Sequence, residues 1–237
     1  MKARAVEGRS VPSSSSPLST DILVLGAGVL GLCTAVELTR RGRQVVVLDP
    51  GGGNASSVAA GMIAPAIESF VDGASPDHAR LLREAGRLWA DYAGIRLKPA
   101  PAIWRGADGE RTVATLRALG FEASLDGQGQ VHAADDVQVD PVAALAQLRA
   151  LLEAPVVEGA ARSISRIETG WAVETDAGRI VATTVVLATG AAEPLTGLPE
   201  SVAGLVRQIA PIRVPAALTV HVREAAPEIP SVSARSG

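Results

Sequence analysis

The sequence predicts an α/β fold built on a Rossmann-like nucleotide-binding unit, and three stretches predict it. Asp21 to Asp49, DILVLGAGVLGLCTAVELTRRGRQVVVLD, reads as strand, glycine turn, helix, turn and strand. Pro155 to Gly190 is β-rich and closes on Ala188-Thr189-Gly190. Between them, Ser75-Pro76-Asp77 and Asp140-Pro141 each open a run of apolar residues at helical spacing. A strand–helix–strand unit implies parallel strands joined by a crossover helix.

The first unit carries the most specific signal. Asp21 to Leu25 is a short apolar run, followed at once by Gly26, Gly28 and Gly31 in the G-x-G-x-x-G pattern. The first glycine permits the tight turn, the second lets backbone approach a pyrophosphate, and the third lets the helix pack close to the sheet. Leu30 opens the apolar run at helical spacing, and the free N–H groups and partial positive charge at the helix N-terminus suit phosphates. The helical pattern runs to Arg40, and Gly42 supplies a left-handed residue to end it. Val45 to Leu48 is the second buried strand. Asp49 closes it eighteen positions after Gly31, near the ~20 expected for a carboxylate that takes a ribose hydroxyl. These residues form a dinucleotide cradle that could serve NAD or FAD.

Composition removes several other function classes. At 237 residues the chain can hold one large domain or two small ones. Net charge is −3 and no basic stripe occurs, so nucleic acid is not an expected partner. No apolar run reaches the ~18–20 residues of a membrane helix. Residues 1–20 lack an apolar h-region and read as a disordered polar leader, not a secretory signal. Cys33 is the one cysteine, so no internal disulfide is available, and a reducing, cytoplasmic setting follows. No histidine has a partner at metal-ligand spacing, and no metal site is expected.

Past Asp49, Gly51 to Gly53 must be loop. Ser56 and Ser57 can donate to phosphate, and small residues up to Met62 let backbone come close to a ligand. Ser75 caps a helix that Pro76 opens, with Ala79, Leu82, Ala85, Leu88, Trp89 and Tyr92 on one face. His78 reads as a surface histidine; Trp89, Tyr92 and Trp104 read as core. Ala100 to Arg105 is a strand, and Glu110 to Leu119 a helix stopped by Gly120. His132 has no partner nearby in sequence. Asp140 caps a further helix with Val142, Leu145, Leu148, Leu151 and Leu152 as its apolar stripe. Val156 to Glu158, Ser163 to Ile167, Trp171 to Thr175 and Val181 to Ala188 are strands, turned at Thr169-Gly170 and Asp176-Ala177-Gly178.

The cradle and the segment Ser57-Val58-Ala59-Ala60-Gly61-Met62, taken together, resemble the FAD-dependent D-amino-acid oxidase superfamily. Within it the likeness is to the glycine oxidase family of thiamine biosynthesis, where a Ser-x-Ala-Ala-Gly-Met segment passes the flavin. The resemblance implies FAD rather than NAD. It implies cofactor contacts from Gly26, Gly28, Val29, Leu30, Gly31 and Asp49, and from Ser56, Ser57, Ala60, Gly61 and Met62. It also implies a three-stranded meander followed by a strand whose Gly190 passes the cofactor. Arg162 would contact the adenine through its backbone, at a position where the family usually has valine.

The implied architecture is a Rossmann-like FAD-binding domain, residues 21–75 and 140–204, with an incomplete α+β substrate domain, residues 76–139 and 205–237. The implied reaction oxidises glycine or a small D-amino acid to an imine and then a 2-oxo acid and ammonia, with O2 reduced to hydrogen peroxide. D-amino-acid dehydrogenases, sarcosine oxidase-like enzymes and the oxidase half of a tRNA-modifying enzyme share these motifs. A homo-oligomer is left open. Because the cofactor carries the chemistry, no catalytic triad or carboxylate pair is required, and no catalytic residue is assigned.

The likeness runs from Asp21 to about Arg213. The family's Pro-x-(Lys/Arg)-Gly-Gln step becomes Pro211-Ile212-Arg213 followed by Val214-Pro215. The expectation is a truncated or frame-disrupted product of a GC-rich gene. The alternative is a short, non-catalytic flavin-binding fragment or subunit. His221 and Arg223 in the tail have no assigned place.

Overall fold

The computed structural model describes residues 17–190 and 195–203. Expectations for the leader before residue 17, and for residues 204–237 with the Pro211 to Arg213 step, His221 and Arg223, lie outside the described residues. The chain begins β1 (Leu18–Leu25), α1 (Val29–Arg40) and β2 (Val45–Asp49), then makes a 3-10 turn at Ala55–Val58. It continues through β3 (Met62–Ile63), α2 (Pro65–Val71), α3 (Pro76–Leu88), a 3-10 turn at Trp89–Asp91, β4 (Lys98–Pro99) and β5 (Ala102–Trp104). Next come α4 (Gly109–Ala118), β6 (Ala123–Leu125), β7 (Val131–Ala133), β8 (Val137–Gln138) and α5 (Pro141–Leu151). It returns through β9 (Val156–Glu158), β10 (Ala161–Ile167), β11 (Gly170–Thr175) and β12 (Gly178–Leu187).

A six-stranded sheet in the order β10-β11-β12-β1-β2-β9 is the frame. β12, β1, β2 and β9 are parallel, while β10, β11 and β12 are antiparallel. The period-2 alternation of strands assigns the two faces. Ile22, Val24, Val45 and Val47 pack against Leu32, Ala35 and Val36 of α1 and Leu148 of α5. Leu23, Leu25, Val46 and Leu48 pack against Ile164, Val173, Ile180 and Ala182. The antiparallel end therefore curls over one face of the parallel end, and helices cover the other. Burial on both faces is why β1 and β2 read as continuous apolar runs; each fully buried side chain contributes about 1.5–3 kcal/mol.

A second core gathers Ala66, Ala79, Val113, Leu116, Phe121 and Val131 from α2, α3, α4 and the three-stranded β5-β7-β6 sheet. Trp104 packs here edge-on against Phe70, with centroids 5.2 Å apart, as a core tryptophan. A further short sheet runs β3-β8-β4.

Four local expectations are corrected. The α3 stripe is not one buried face: Ala79 is buried, but Ala85 and Leu88 are exposed. The chain changes to 3-10 pitch at Trp89, and this turns Trp89 and Tyr92 into the first core. In α5, Val142 is exposed, and Ala144 and Leu148 are buried. Two three-residue steps at 3.6 residues per turn drift by about 120°, so Val142 leaves the stripe that Leu148 centres. His132 does have a partner: its Nε2 lies 3.0 Å from Asp126 Oδ2 across the β6–β7 hairpin. Finally, among the described residues no separate strand follows the meander. β12 is its third strand and also the parallel neighbour of β1, pairing Ala182 with both Trp171 and Thr20.

Candidate functional site

The site lies where β1 and β2 end. Gly26 turns the chain at φ +102°, and a Cβ there would strike the Ala188 carbonyl. A Cβ at Gly31 would strike the Gly26 carbonyl and approach Ala188 Cβ at 3.3 Å. Both glycines are thus fixed by close approach of turn, helix and the end of β12. Gly28 is different. It is the N-cap of α1, it carries no capping side chain, and a Cβ there would meet only Ser56 Oγ, at 3.2 Å.

The first turn of α1 is open to solvent on one side. Leu30 is 75% exposed. The Val29 N–H donates to Ser56 Oγ at 3.0 Å, so a neutral hydroxyl rather than a charge faces this helix end. Ser57 holds the turn that presents Ser56. Its N–H donates to Asn54 Oδ1 at 3.0 Å, and its hydroxyl donates to the Asn54 carbonyl at 2.7 Å.

Asp49 stands at the other wall with its side chain 12% exposed. Its Oδ2 accepts the Ala27 N–H at 2.6 Å and its Oδ1 accepts the Gly51 N–H at 2.9 Å. Each oxygen keeps a lone pair for a further donor. Arg149 of α5 sets a guanidinium nitrogen 3.9 Å from Oδ1. Arg149 was not singled out in the sequence, where it reads only as a basic residue in the last turn of a helix.

Beyond Asp49 is a shallow cleft of about 430 Å³ lined by Pro50, Glu158, Gly159, Ala160, Asp176 and Ala177. Arg162 binds Asp176 through two parallel bonds, 2.7 and 2.8 Å. That pairing holds the Asp176 carboxyl below its usual range. The β10–β11 register shifts between Ala161 and Ser163. Arg162 is therefore the extra residue of a bulge, which frees backbone from the ladder. Gly190, at φ +61°, has open space where a Cβ would be.

Residues 60–62 lead away from the Ser56 turn into β3. The Ala60 carbonyl accepts from Gln138 Nε2 at 2.8 Å, and the Gly61 carbonyl accepts the Val139 N–H at 2.9 Å. Gly61 sits at φ +72°, and a Cβ on it would strike the Val139 carbonyl. Met62 is 45% exposed. A residue the sequence reading missed, Asp136, closes this region from below; its carboxylate is 1% exposed and accepts the Ala66 and Ile67 N–H groups. The signal was available in Ala64-Pro65, a helix start with no polar cap of its own. Among the described residues, no group of three or more His, Cys, Asp or Glu could hold a metal ion. No helix of the described residues is long and apolar enough to cross a membrane.

Comparison with known proteins places this geometry. A family model, DAO, described as FAD dependent oxidoreductase, matches residues 21–233. Glycine oxidase from Geobacillus kaustophilus superposes with a TM-score of 0.60 at 26% identity, over 73% of this chain and 56% of that one. L-amino acid deaminase from Proteus vulgaris, at 21% identity and a TM-score of 0.59, shares the fold over 78% of this chain and 50% of that one. A bifunctional protein ThiO/ThiG from Nostoc sp. is 45% identical over 58 residues, which are 24% of this chain and 9% of that protein. The chain thus spans about half the length of the solved relatives it matches.

Proposed function

The chain belongs to the DAO family of FAD-dependent oxidoreductases, and on that premise we propose that the groove above β1 and β2 holds FAD for the oxidation of a small amino acid. The supporting observation is the open end of α1. Gly28 leaves unfilled the space a Cβ would take, and the N–H facing it is met by a neutral hydroxyl. A pyrophosphate fits there: it would add the negative charge that the helix end lacks.

In this reading Gly26, Gly28, Val29, Leu30 and Gly31 hold the pyrophosphate, with Ser56 as a further donor. Asp49 accepts a ribose hydroxyl. The bulged backbone at Arg162 and the cleft beside Pro50 take the adenine. Ser57, Ala60, Gly61, Met62 and Gly190 border the rest of the cofactor. Residues 21–75 and 140–204 form the FAD-binding domain, and residues 76–139 form the described part of a substrate domain.

The substrate class we propose is glycine or a small D-amino acid, with thiamine biosynthesis and the cytoplasm as the setting. Support comes from the Ser57 to Met62 segment, from the glycine oxidase superposition and from the ThiO/ThiG stretch. Bound FAD would accept the hydride from the substrate Cα, leaving an imine for hydrolysis to the 2-oxo acid and ammonia, while O2 is reduced to hydrogen peroxide. The protein's part is position and electrostatics.

The test is the visible spectrum of the purified chain with added FAD, followed by anaerobic glycine. A yellow protein that bleaches, and yields peroxide on aeration, supports the oxidase. A yellow protein that does not bleach when amino acid is added supports instead a flavin-binding subunit without turnover. A chain that takes up no FAD refutes the assignment of the groove.

A further inference from the structure

We propose, resting on the reading that residues 60–62 border the cofactor, that Asp136 is a positioning residue that fixes the 60–67 segment and with it one edge of the groove. Asp136 is the one buried charged side chain among the described residues. Its Oδ1 accepts the Ala66 N–H at 2.9 Å and its Oδ2 accepts the Ile67 N–H at 3.2 Å. These are the first donors of α2, because Ala64 at the cap has no side-chain acceptor and Pro65 has no N–H.

The contact continues residue by residue toward the groove. Val137 and Gln138 pair with Ile63 and Met62. Gln138 Nε2 donates to the Ala60 carbonyl at 2.8 Å, and the Val139 N–H donates to the Gly61 carbonyl at 2.9 Å. Asp140 then caps α5, its Oδ1 accepting the Ala143 N–H at 2.9 Å. Four consecutive residues, 136–139, therefore bind 60–67 along its length, and Asp140 ties them to α5.

The β-pairing inside this contact is only two residues long, and so short a ladder does not hold a register by itself. Charge-assisted bonds at one end are stronger than the neutral ones beside them, and they come from a side chain that cannot slide. At the other end Gly61 lies so close to Val139 that no larger residue fits. Asp136 and Gly61 thus bracket the segment and fix where Met62 stands.

Hydrogen exchange of the full chain, read by mass spectrometry, together with FAD titration, tests this. Asp136→Ala should speed exchange in 60–67 at least tenfold and leave peptides of α1 and β11 unchanged. It should also raise the FAD Kd at least fivefold and shift the bound flavin's absorption bands toward those of free FAD. Asp136→Asn, which keeps one accepting oxygen, should fall between, and it carries the test if the alanine variant does not fold. Unaltered exchange in 60–67 overturns the proposal. So does faster exchange with an unchanged Kd and spectrum. If the unaltered chain takes no FAD, the cofactor reading fails on its own, and the exchange comparison alone supports or overturns the hold on 60–67.

Discussion

α1 and α2 both begin without a side-chain cap of their own, and they are completed in opposite ways. At α1 the cap is Gly28, the first N–H meets the hydroxyl of half-buried Ser56, and Leu30 beside it is 75% exposed. At α2 the cap is Ala64, and a carboxylate 1% exposed closes the first two donors. Both ends have the same unpaired groups and the same dipole. The difference lies in what is left for solvent. A buried charge closes α2 permanently. A neutral, displaceable hydroxyl leaves α1 ready for an anion, and this separates a cofactor cradle from a structural joint.

The largest combined effect, on fold and FAD binding together, should come from a steric clash at the base of α1. Gly31→Val drives its side chain into the Gly26 carbonyl and toward Ala188. Overpacking of this kind costs typically about 1–3 kcal/mol, and here the obstacle is backbone, so the upper end is expected. Urea denaturation should show a clear fall in midpoint, and the chain should lose FAD. A wild-type midpoint would mean that helix, turn and β12 are not in the contact described.

Sequence made one of these two ends legible and hid the other. The α1 end is written locally: Gly26, Gly28, Gly31 and Asp49 sit within one βαβ unit, so spacing alone places them. The α2 end is completed by a residue seventy positions away, and no periodic pattern reports such a pairing. The same distinction governs the rest. Asp140 and Pro141 announce α5, and Ser75 and Pro76 announce α3, because caps act within one turn. The loss of the α3 stripe at Trp89, and the double duty of β12, are tertiary outcomes of how the sheet curls. Ser56 was legible as a hydroxyl that can donate to a phosphate, and the structure sets its Oγ against the Val29 N–H. That Ser57 turns instead to Asn54 was not, since two adjacent serines differ only in their rotation about the 3-10 turn.

The next effect probes the closed end. Asp136→Ala leaves two amide donors without their acceptor, a loss of about 2–6 kcal/mol at about 1–3 kcal/mol for each unpaired group. The carboxyl also gives the comparison a pH signature. Burial pushes its pKa up to about 6, with Asp135 and Glu68 adding to the rise and the two N–H bonds opposing it. A folded-state pKa above the unfolded one means a stabilisation fully present at low pH and lost as pH rises through about 6. The unaltered chain should therefore gain stability relative to Asp136→Asn on acidification from pH ~7.5 to ~5. An opposite slope would show that hydrogen bonding outweighs burial at this site. The ionised form thus holds its segment in place at some expense of stability.

Smaller changes at the open end should separate ligand from fold. Gly28→Ala puts a methyl 3.2 Å from Ser56 Oγ, which the hydroxyl can accommodate in the free chain but a pyrophosphate cannot. FAD affinity should fall about tenfold, or ~1.4 kcal/mol, with little change in melting temperature. Ser56→Ala should do the reverse. It removes the acceptor for Val29, costing about 1 kcal/mol in the free chain; FAD would restore an acceptor to Val29 but lose the hydroxyl as a donor, so the deficit should shrink only in part. Melting curves with and without FAD measure both. A Ser56→Ala deficit that persists unchanged with FAD would make that serine part of a closed end, like Asp136.

The smallest effect is expected at Arg162, and its smallness is informative. The bulge between Ala161 and Ser163 offers backbone, while the guanidinium is turned to Asp176. Arg162→Val removes the guanidinium and keeps the bulge, so FAD affinity should stay within about twofold. The Asp176 carboxyl, now held low mainly by that guanidinium, should return toward its ordinary range, which NMR titration of the side chain would record. A large loss of FAD affinity would mean that the charge itself reaches the cofactor. The adenine end would then be held by a side chain, unlike the pyrophosphate end, where backbone donors and missing side chains do the work.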